Sequence, residues 1–454
     1  MEICLIGLGN MGKNLAKNLD DKGYTLNVYN RTTGKTHDLV KENPSIIGHD
    51  TIKQMIDNVI SPRIVFLILT AGPIIDNILD ELDQYLDESD VVIDIGNSYF
   101  KDTIRRAKNY KFNFVGAGIS GGELGARYGG SIMVGCNEKT WSIVKQVFYD
   151  ISTDSKTSPG KCCERFGNDG AGHFVKMVHN GIEYCDMDVI SESYNILKKM
   201  GYSNDKISEL FLRWNDDKLK SYLIEIAGKI LIKKDMNEYV IDKVQDSAQQ
   251  KGTGKACIME AVELSVPTIT IVEATFSRVI SSRKTVRTNL SKKLHFDTTE
   301  NSKISEDDIF KTIYLCRAIS YIQGFNLLNK AFDEYKWIKN FPGVCDVWSD
   351  GCILRGCFLE TMKKITKDVD QDYELSDTFC KIYKENISGL KNVVISAAEK
   401  GIAIPAISSC FNYINGMRTA NSGGNMIQSM RDCFGGHTVL FKGEQDPKHI
   451  EWLD

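Results

Sequence analysis

Polar side chains of five different kinds recur along the segment Lys176-Met177-Val178-His179-Asn180-Gly181-Ile182-Glu183-Tyr184. Lys176, His179, Asn180, Glu183 and Tyr184 stand at i, i+3, i+4, i+7 and i+8, positions that share one face of an α-helix. Phe174, Val175, Val178 and Ile182 fall largely off that stripe and are free to bury against the protein. The stripe therefore gathers a base, an imidazole, an amide, an acid and a phenol. A solvated helix face favours repeated lysine and glutamate. A set of single chemistries points instead at a bound molecule.

Two further clusters carry chemistry but say little alone. Gln249-Gln250-Lys251-Gly252-Thr253-Gly254-Lys255 combines glycines with two lysines and a threonine, a composition that suits a phosphate-binding turn. It lacks the GxxxxGK spacing of a P-loop. Arg431-Asp432-Cys433-Phe434-Gly435-Gly436-His437 places an arginine and a histidine close together near the end of the chain. No grouping of residues has convincing metal-ligand spacing, so no metal is expected.

The elements that must position these residues begin at the N-terminus. Glu2-Ile3-Cys4-Leu5-Ile6 reads as a buried strand, and Lys13 to Leu19 as a helix. Between them lies Gly7-Leu8-Gly9-Asn10-Met11-Gly12, a GxGxxG in the strand–turn–helix setting that makes this motif a dinucleotide site. Gly7 allows the tight turn, Gly9 lets the backbone approach a pyrophosphate, and Gly12 lets helix and strand pack closely. The helix N-terminus offers unpaired N–H groups to the phosphates. A second strand, 25–29, leads into Asn30-Arg31-Thr32. An acid at this tip would select NAD; here there is none, and Arg31 suits the extra phosphate of NADP.

Buried-strand runs continue at 64–69, 91–95, 114–117 and 131–134, with helical stretches at 51–60 and 74–86. Alternation of this kind predicts a doubly wound sheet with helices on both faces. Ligands then sit at the carboxyl ends of the strands. Thr70-Ala71-Gly72-Pro73, Gly96-Asn97-Ser98 and Gly118-Ile119-Ser120-Gly121-Gly122 all fall just past such ends. Amphipathic stretches at 203–231, 305–333 and 360–400 have a period near 3.6 and predict helices. The expected organisation is an α/β Rossmann-type N-terminal domain over 1–170, a large all-α domain over 171–425 for substrate binding and dimerisation, and a short C-terminal tail over 426–454.

Composition bounds the function classes. The 454 residues are 42% hydrophobic and 26% charged, an ordinary globular balance long enough for more than one domain. A net charge of −4 argues against nucleic acid as the main partner. The 13 cysteines show no CxxC pair and no regular spacing, as expected of reduced thiols in a cytoplasmic protein. No secretory signal is visible, and no apolar run approaches the roughly 20 residues a membrane helix needs.

Together these motifs resemble the 6-phosphogluconate dehydrogenases, decarboxylating enzymes of the β-hydroxyacid dehydrogenase superfamily. The similarity rests on the glycine loop, Asn-Arg-Thr at 30–32, Gly-Asn-Ser at 96–98, Ile-Ser-Gly-Gly-Glu at 119–123 with Ala-Arg-Tyr-Gly at 126–129, the 176–184 helix segment, Gln-Lys-Gly-Thr-Gly-Lys at 250–255 and the 431–437 segment. The shorter β-hydroxyacid dehydrogenases share a glycine loop, a Ser-Gly-Gly and a lysine, but lack the long helical domain and the C-terminal Arg–His segment.

The resemblance implies a reaction and a site. The reaction is oxidative decarboxylation of 6-phosphogluconate to ribulose 5-phosphate and CO2 with NADP, in the pentose phosphate pathway and gluconate utilisation, by a cytoplasmic homodimer with a shared active site. Lys176 would be the base that takes the hydroxyl proton and then the acid that supports the enolate, and Glu183 the acid that protonates C1. Gly7, Leu8, Gly9, Asn10, Met11, Gly12, Asn30, Arg31, Thr32, Leu69, Thr70, Ala71 and Asn97 would hold the cofactor. Asn97, Ser120, Gly121, Gly122, His179 and Asn180 would surround the sugar acid. Tyr184, Lys251, Thr253 and Arg278 would bind its phosphate, with Arg431 and His437 arriving from the other subunit. One departure stands out: many family members carry a lysine where this chain has Thr70. Three rival readings are a dehydrogenase for another β-hydroxy acid, a catalytically silent NADP sensor and an NAD-preferring variant. The phosphate-site cations, the presence of both Lys176 and Glu183, and Arg31 argue against them in turn.

Overall fold

The computed structural model describes residues 1–250, 252–299 and 303–453. In the N-terminal region, β1 (Glu2–Ile6), β2 (Thr25–Tyr29), β3 (Ile47–His49), β4 (Ile64–Leu67), β5 (Val91–Asp94), β6 (Asn113–Ser120), β7 (Ser131–Gly135) and β8 (Cys163–Gly167) form one sheet in the order β3-β2-β1-β4-β5-β6-β7-β8. The pairs from β3 through β6 are parallel. β7 runs antiparallel to β6, and β8 runs parallel to β7. Continuous apolar strands are what a sheet covered on both faces requires. In β1, Ile3 and Leu5 join the core on one face while Cys4 and Ile6 join the core on the other.

β1 is flanked by β2 and β4, so the chain reverses direction across the sheet at this point. A crevice opens beyond the carboxyl ends of the strands at such a switch. The glycine loop sits there. Gly7 has φ of +106°, and a Cβ on it would stand 2.5 Å from the Ile68 carbonyl oxygen. A Cβ on Gly12 would stand 1.9 Å from the Gly7 carbonyl oxygen, so helix Asn10–Asp21 rests directly on the turn.

The remaining two thirds is largely helical. The helix Ala171–Lys199, 29 residues and about 43 Å long at 1.5 Å per residue, lies against β6 and β7 on one side and against the equally long helix Glu306–Glu334 on another. Both are buried nearly all round, so both belong to the core rather than to an amphipathic surface. Arg317 and Asp186 form a buried ion pair between them at 3.1 Å, and Arg317 also donates to the Leu219 carbonyl and Ser221 Oγ. Those extra bonds supply what a buried charge pair needs beyond Coulomb attraction.

The sequence periodicity locates these helices but runs through two breaks. The 203–231 stretch is two helices, Asn204–Trp214 and Tyr222–Leu231; Asn215 Oδ1 accepts from the Ser221 N–H, and Ser221 caps the second helix. The 360–400 stretch divides into Phe358–Asp368 and Asp377–Glu399, the second capped by Ser376. β3, β8 and the reversed direction of β7 are not anticipated by the pattern of apolar runs. Among the described residues no helix is long and apolar enough to cross a membrane.

Candidate active site

The site is built where helix Ala171–Lys199 crosses β6. Gly118 in β6 makes the crossing close: a Cβ there would stand 2.3 Å from Cβ and 2.7 Å from Cγ of Lys176. The lysine stem thus runs flush against the strand and delivers its amine to the strand's end. Nζ donates to Asn180 Oδ1 at 2.8 Å and to Ser120 Oγ at 3.0 Å, and stands 3.4 Å from His179 Nδ1. Lys176 is 7% exposed and forms no ion pair among the described residues. Burial holds its amine below the ordinary lysine range, and the Glu183 carboxylate opposes that shift.

Glu183 lies one turn beyond Asn180. Burial raises its carboxyl above the usual range, against the pull of Lys176 and Arg278. Its Oε2 is 3.6 Å from His179 Nδ1. His179 is fully buried, with its ring edge-to-face against Trp348, and burial followed by the nearby Lys176 holds it neutral. It lines neither cavity; its Nδ1 lies near Lys176 Nζ, Asn180 Oδ1 and Glu183 Oε2. The helical stripe expected from the sequence does exist, but it is buried, not solvated.

A cavity of about 430 Å³ opens in front of these groups. Met11 and Asn97 enter it from the sheet domain, Ser120 to Gly122 from the end of β6, Lys176, Asn180, Glu183 and Tyr184 from the long helix, and Thr253 and Arg278 from the helices Thr253–Glu263 and Ile269–Ser282. The Arg278 guanidinium stacks 3.6 Å from the Tyr184 ring centre and donates through Nη1 to the Gln249 carbonyl at 3.0 Å. Its Nε is buried without a partner, leaving a donor for an anion. A second cavity shares Asn97, Lys176, Asn180 and Thr253 and extends past Ala71 and Gly72 toward the crevice. Lys176 therefore lines two adjacent cavities, one reached by Met11 of the glycine loop and the other by Ala71 and Gly72 of the loop after β4.

The cofactor loops are tied together. Asn30 Oδ1 accepts from the Leu8 N–H at 2.9 Å, linking the tip of β2 to the glycine loop. Asp94 accepts from the Gly96 N–H at 3.0 Å and from Ser98 Oγ at 2.5 Å, which fixes Asn97 between them. The buried Arg106 donates twice to Asp76 at 2.9 Å and once to the Gly72 carbonyl at 3.2 Å, bracing the loop that carries Leu69, Thr70 and Ala71. Arg31 and Thr32 are exposed at the β2 tip, and Arg31 has no ion pair among the described residues. A Cβ built on Gly9 meets nothing within 4 Å. That empty cradle, the helix N-terminus behind it and the free guanidinium fit a dinucleotide bearing a 2′-phosphate.

Not every expected residue converges. Arg431 and His437 are exposed on the tail and line neither cavity of this chain. Lys251 lies outside the described residues. Conversely, Ile353 lines the larger cavity with no signal in the sequence, and Gln249 and Gln250 line it from the start of the glycine–lysine segment, with no role assigned to them individually. Ile353 belongs to a loop whose Gly351 carbonyl would lie 2.3 Å from a Cβ on Gly121 and accepts from the Ser131 N–H at 3.1 Å. Nothing in a single sequence brings residue 353 to residue 121.

The close crossing gives a direct test. Gly118→Ala must push the Lys176 stem away or off its rotamer, with roughly 1–3 kcal/mol of strain. A misplacement near 1 Å costs about a hundredfold in rate. We expect kcat to fall by about that factor while the folded dichroism spectrum is kept; unchanged kcat would show that the amine position does not depend on this contact.

A doubly wound sheet with a phosphate-ready glycine loop, opening onto a buried amine and a carboxyl on a largely helical domain that the short hairpin Lys234–Asp235 and Glu238–Tyr239 keeps from being all-α, defines a nicotinamide-dependent oxidoreductase. A family model described as the NAD binding domain of 6-phosphogluconate dehydrogenase matches residues 2–167, and one described as 6-phosphogluconate dehydrogenase, C-terminal domain, matches residues 172–452. The 6-phosphogluconate dehydrogenase, decarboxylating, of Drosophila melanogaster is 39% identical over 464 residues, covering 99% of this chain and 96% of that protein. That of Salmonella typhimurium is 38% identical over 468 residues, covering 100% and 99%. A solved structure of Plasmodium falciparum 6-phosphogluconate dehydrogenase, studied in its apo form and with NADP+ and 6-phosphogluconate, superimposes with a TM-score of 0.94 at 35% identity and covers 100% of both chains. The chain belongs to the 6-phosphogluconate dehydrogenase family.

Proposed function

We propose that this chain oxidises and decarboxylates 6-phospho-D-gluconate to ribulose 5-phosphate and CO2, with NADP+ as the oxidant. The observation that carries the reading is the Lys176 amine, buried, without a carboxylate partner within ion-pair distance among the described residues, and held by Ser120 and Asn180 where the linings of the two cavities overlap. NADP+, when bound, accepts the hydride released from C3 of the sugar acid. Lys176, entering neutral, takes the C3 hydroxyl proton as that hydride leaves. The product is a β-keto acid whose C1–C2 bond breaks with release of CO2, the electron pair passing to the carbonyl. The protonated amine hydrogen-bonds the developing oxyanion. Glu183, whose carboxyl burial shifts toward its protonated form, then delivers a proton to the carbon that becomes C1 of ribulose 5-phosphate.

Asn97, Ser120, Gly121, Gly122 and Asn180 line the cavity with Lys176 and would receive the carboxylate and hydroxyl groups, with His179 acting through the amine. Tyr184, Thr253 and Arg278 line the same cavity and would supply the donors a phosphate needs. Lys251 from the adjoining turn is assigned to the same phosphate. The test is an absorbance assay of 6-phosphogluconate with NADP+ or NAD+, with CO2 release followed in parallel; NADPH formation without CO2 would sink the decarboxylating half of the reading.

Arg31 carries the cofactor preference. A charge-assisted hydrogen bond to a 2′-phosphate is worth roughly 1.5–3 kcal/mol. Arg31→Leu should therefore raise KM for NADP+ by about ten- to a hundredfold and leave KM for NAD+ nearly unchanged. An equal rise for both cofactors would move Arg31 out of the 2′-phosphate site.

We further propose a cytoplasmic homodimer, working in the pentose phosphate pathway and gluconate utilisation. Phe276, Val279, Ile280, Val286 and Leu290 are exposed along two successive helices, and Met426, Ile427, Met430 and Phe434 along the tail helix, an apolar surface of the kind a second copy would cover. Thirteen free thiols suit a reducing compartment. In the dimer, Arg431 and His437 would complete the phosphate site of the partner.

A further inference from the structure

The tail holds a buried carboxylate for which the reaction has no use. Asp432 lies between Arg431 and the Gly435–His437 turn and is fully buried, although its neighbours in the tail are mostly exposed. Four donors converge on it. Oδ1 accepts from the Thr438 N–H at 2.7 Å and from His449 Nδ1 at 2.8 Å. Oδ2 accepts from the Ile450 N–H at 2.9 Å and from Trp452 Nε1 at 2.8 Å. Those partners lie 6, 17, 18 and 20 residues away, so one side chain closes the whole tail upon itself. The Val439–Lys448 antiparallel bridge completes the fold-back.

A second side chain ties the same unit to the two residues with a use for an anion. Gln428 Nε2 donates to the Thr438 carbonyl at 2.7 Å and the His437 carbonyl at 3.2 Å, while its Oε1 accepts from Arg431 Nη1 at 3.0 Å. Gln428 therefore bridges Arg431 to the backbone of His437. The backbone between them is strained. Thr438, a β-branched residue, has φ of +60°, in the left-handed region such residues avoid. Both of its backbone polar groups are held, the N–H by Asp432 and the carbonyl by Gln428. A conformation of this kind persists only where its surroundings over-determine it, and such positions gather at functional sites.

We infer that Asp432, assisted by Gln428, is a positioning residue that folds the tail into a preformed clamp presenting Arg431 and His437 together to the substrate phosphate in the partner subunit. This rests on the phosphate role proposed above for those two residues. Without the clamp, each side chain would have to be ordered when substrate arrives, and affinity for the phosphorylated substrate would carry that entropy cost. The cofactor crevice is not touched by the clamp, so affinity for NADP+ is independent of it.

The experiment measures KM for 6-phosphogluconate, KM for NADP+ and kcat on the intact full-length protein carrying Asp432→Ala, Asp432→Asn, Gln428→Ala or Arg431→Ala. Oligomeric state is checked by light scattering, and backbone amide exchange is followed over 436–452. We expect Asp432→Ala to raise KM for 6-phosphogluconate by about tenfold or more, as a displaced binding group does. KM for NADP+ should stay within about twofold of the wild-type value, since the cofactor keeps its contacts. Amide exchange over 436–452 should accelerate. Gln428→Ala should act in the same direction and less strongly, and it carries the test should Asp432→Ala fail to fold. A rescue separates positioning from general damage: glycine adopts positive φ without strain, so Thr438→Gly added to Asp432→Ala should bring KM for 6-phosphogluconate back toward wild type. If Arg431→Ala raises that KM while the Asp432 and Gln428 variants leave it unchanged, the positioning role is overturned and the phosphate role stands. If Arg431→Ala is silent as well, the phosphate role of the tail fails and the clamp with it. A rise in both KM values, or no rescue by Thr438→Gly, would reduce Asp432 to a structural residue.

Discussion

Lys176→Met should abolish NADPH formation and leave both ligands bound. Methionine matches the length of the lysine stem that Gly118 admits, so the crossing of helix Ala171–Lys199 over β6 is preserved. The change removes a buried amine, and Ser120 Oγ and Asn180 Oδ1 lose its two hydrogen bonds. Losing a general base costs about 10²–10⁴ in rate, and losing the donor aimed at the developing oxyanion costs about 10²–10³ more on the later step. The two losses fall on successive steps and do not multiply, so the slower step sets the expected deficit in turnover at about 10²–10⁴. Single-turnover absorbance at saturating 6-phosphogluconate and NADP+ measures the hydride step alone, and equilibrium titration of each ligand measures binding. Appreciable NADPH in the first turnover would remove the lysine from the base role. A loss of 6-phosphogluconate binding equal to the loss in rate would recast it as a binding cation.

How much of this site was readable beforehand follows from what kind of contact builds each part. The glycine loop, the β2 tip and the 176–184 stripe are local: strand, turn and helix periods place their residues without reference to the rest of the chain. Thr253 and Arg278 lie a few turns apart on consecutive helices, and their convergence on Tyr184 needed the tertiary packing of three helices. Ile353 reaches the cavity only because its loop presses against Gly121, a contact that leaves no periodic trace. Spacing puts His179 on the ligand-facing stripe, but one helix face is wide enough to hold both a cavity wall and a residue buried beside it. In the sheet, β8 escaped because Cys163-Glu164-Arg165-Phe166-Gly167 carries two charged residues in a strand at the sheet's edge. The exposed Thr70 was identified as a departure from the family's usual lysine, and the bracing of its loop by Arg106 and Asp76 shows that the loop's shape does not depend on that lysine.

Glu183→Gln tests the other half of the chemistry. Lys176 and Glu183 share one pocket, and burial is the first cause of both shifts: it lowers the amine and raises the carboxyl. The pair can hold one proton in two ways, as ammonium and carboxylate or as amine and carboxylic acid, and removal from water favours the uncharged form of each. That form contains a neutral base for the first step and a loaded acid for the last. The sign of the pH effect follows. The protonated fraction of Glu183 falls as pH rises through its raised pKa, so the protonation step slows toward alkaline pH. Glutamine keeps the shape and cannot deliver a proton, so the step should lose about 10²–10⁴ in rate and its dependence on the carboxyl titration. The hydride step precedes it and should survive: a first-turnover burst of NADPH is expected, followed by turnover limited by the stalled enediol. Exchange of the C1 hydrogen of ribulose 5-phosphate with D2O, read by proton NMR, isolates the residue's action from everything upstream. The wild-type protein should catalyse that exchange and the variant should not. Exchange at the wild-type rate in Glu183→Gln would transfer the acid role to another group in the cavity. A burst as weak as that of Lys176→Met would mean that the carboxyl is needed to set the lysine's charge before any proton is delivered to carbon.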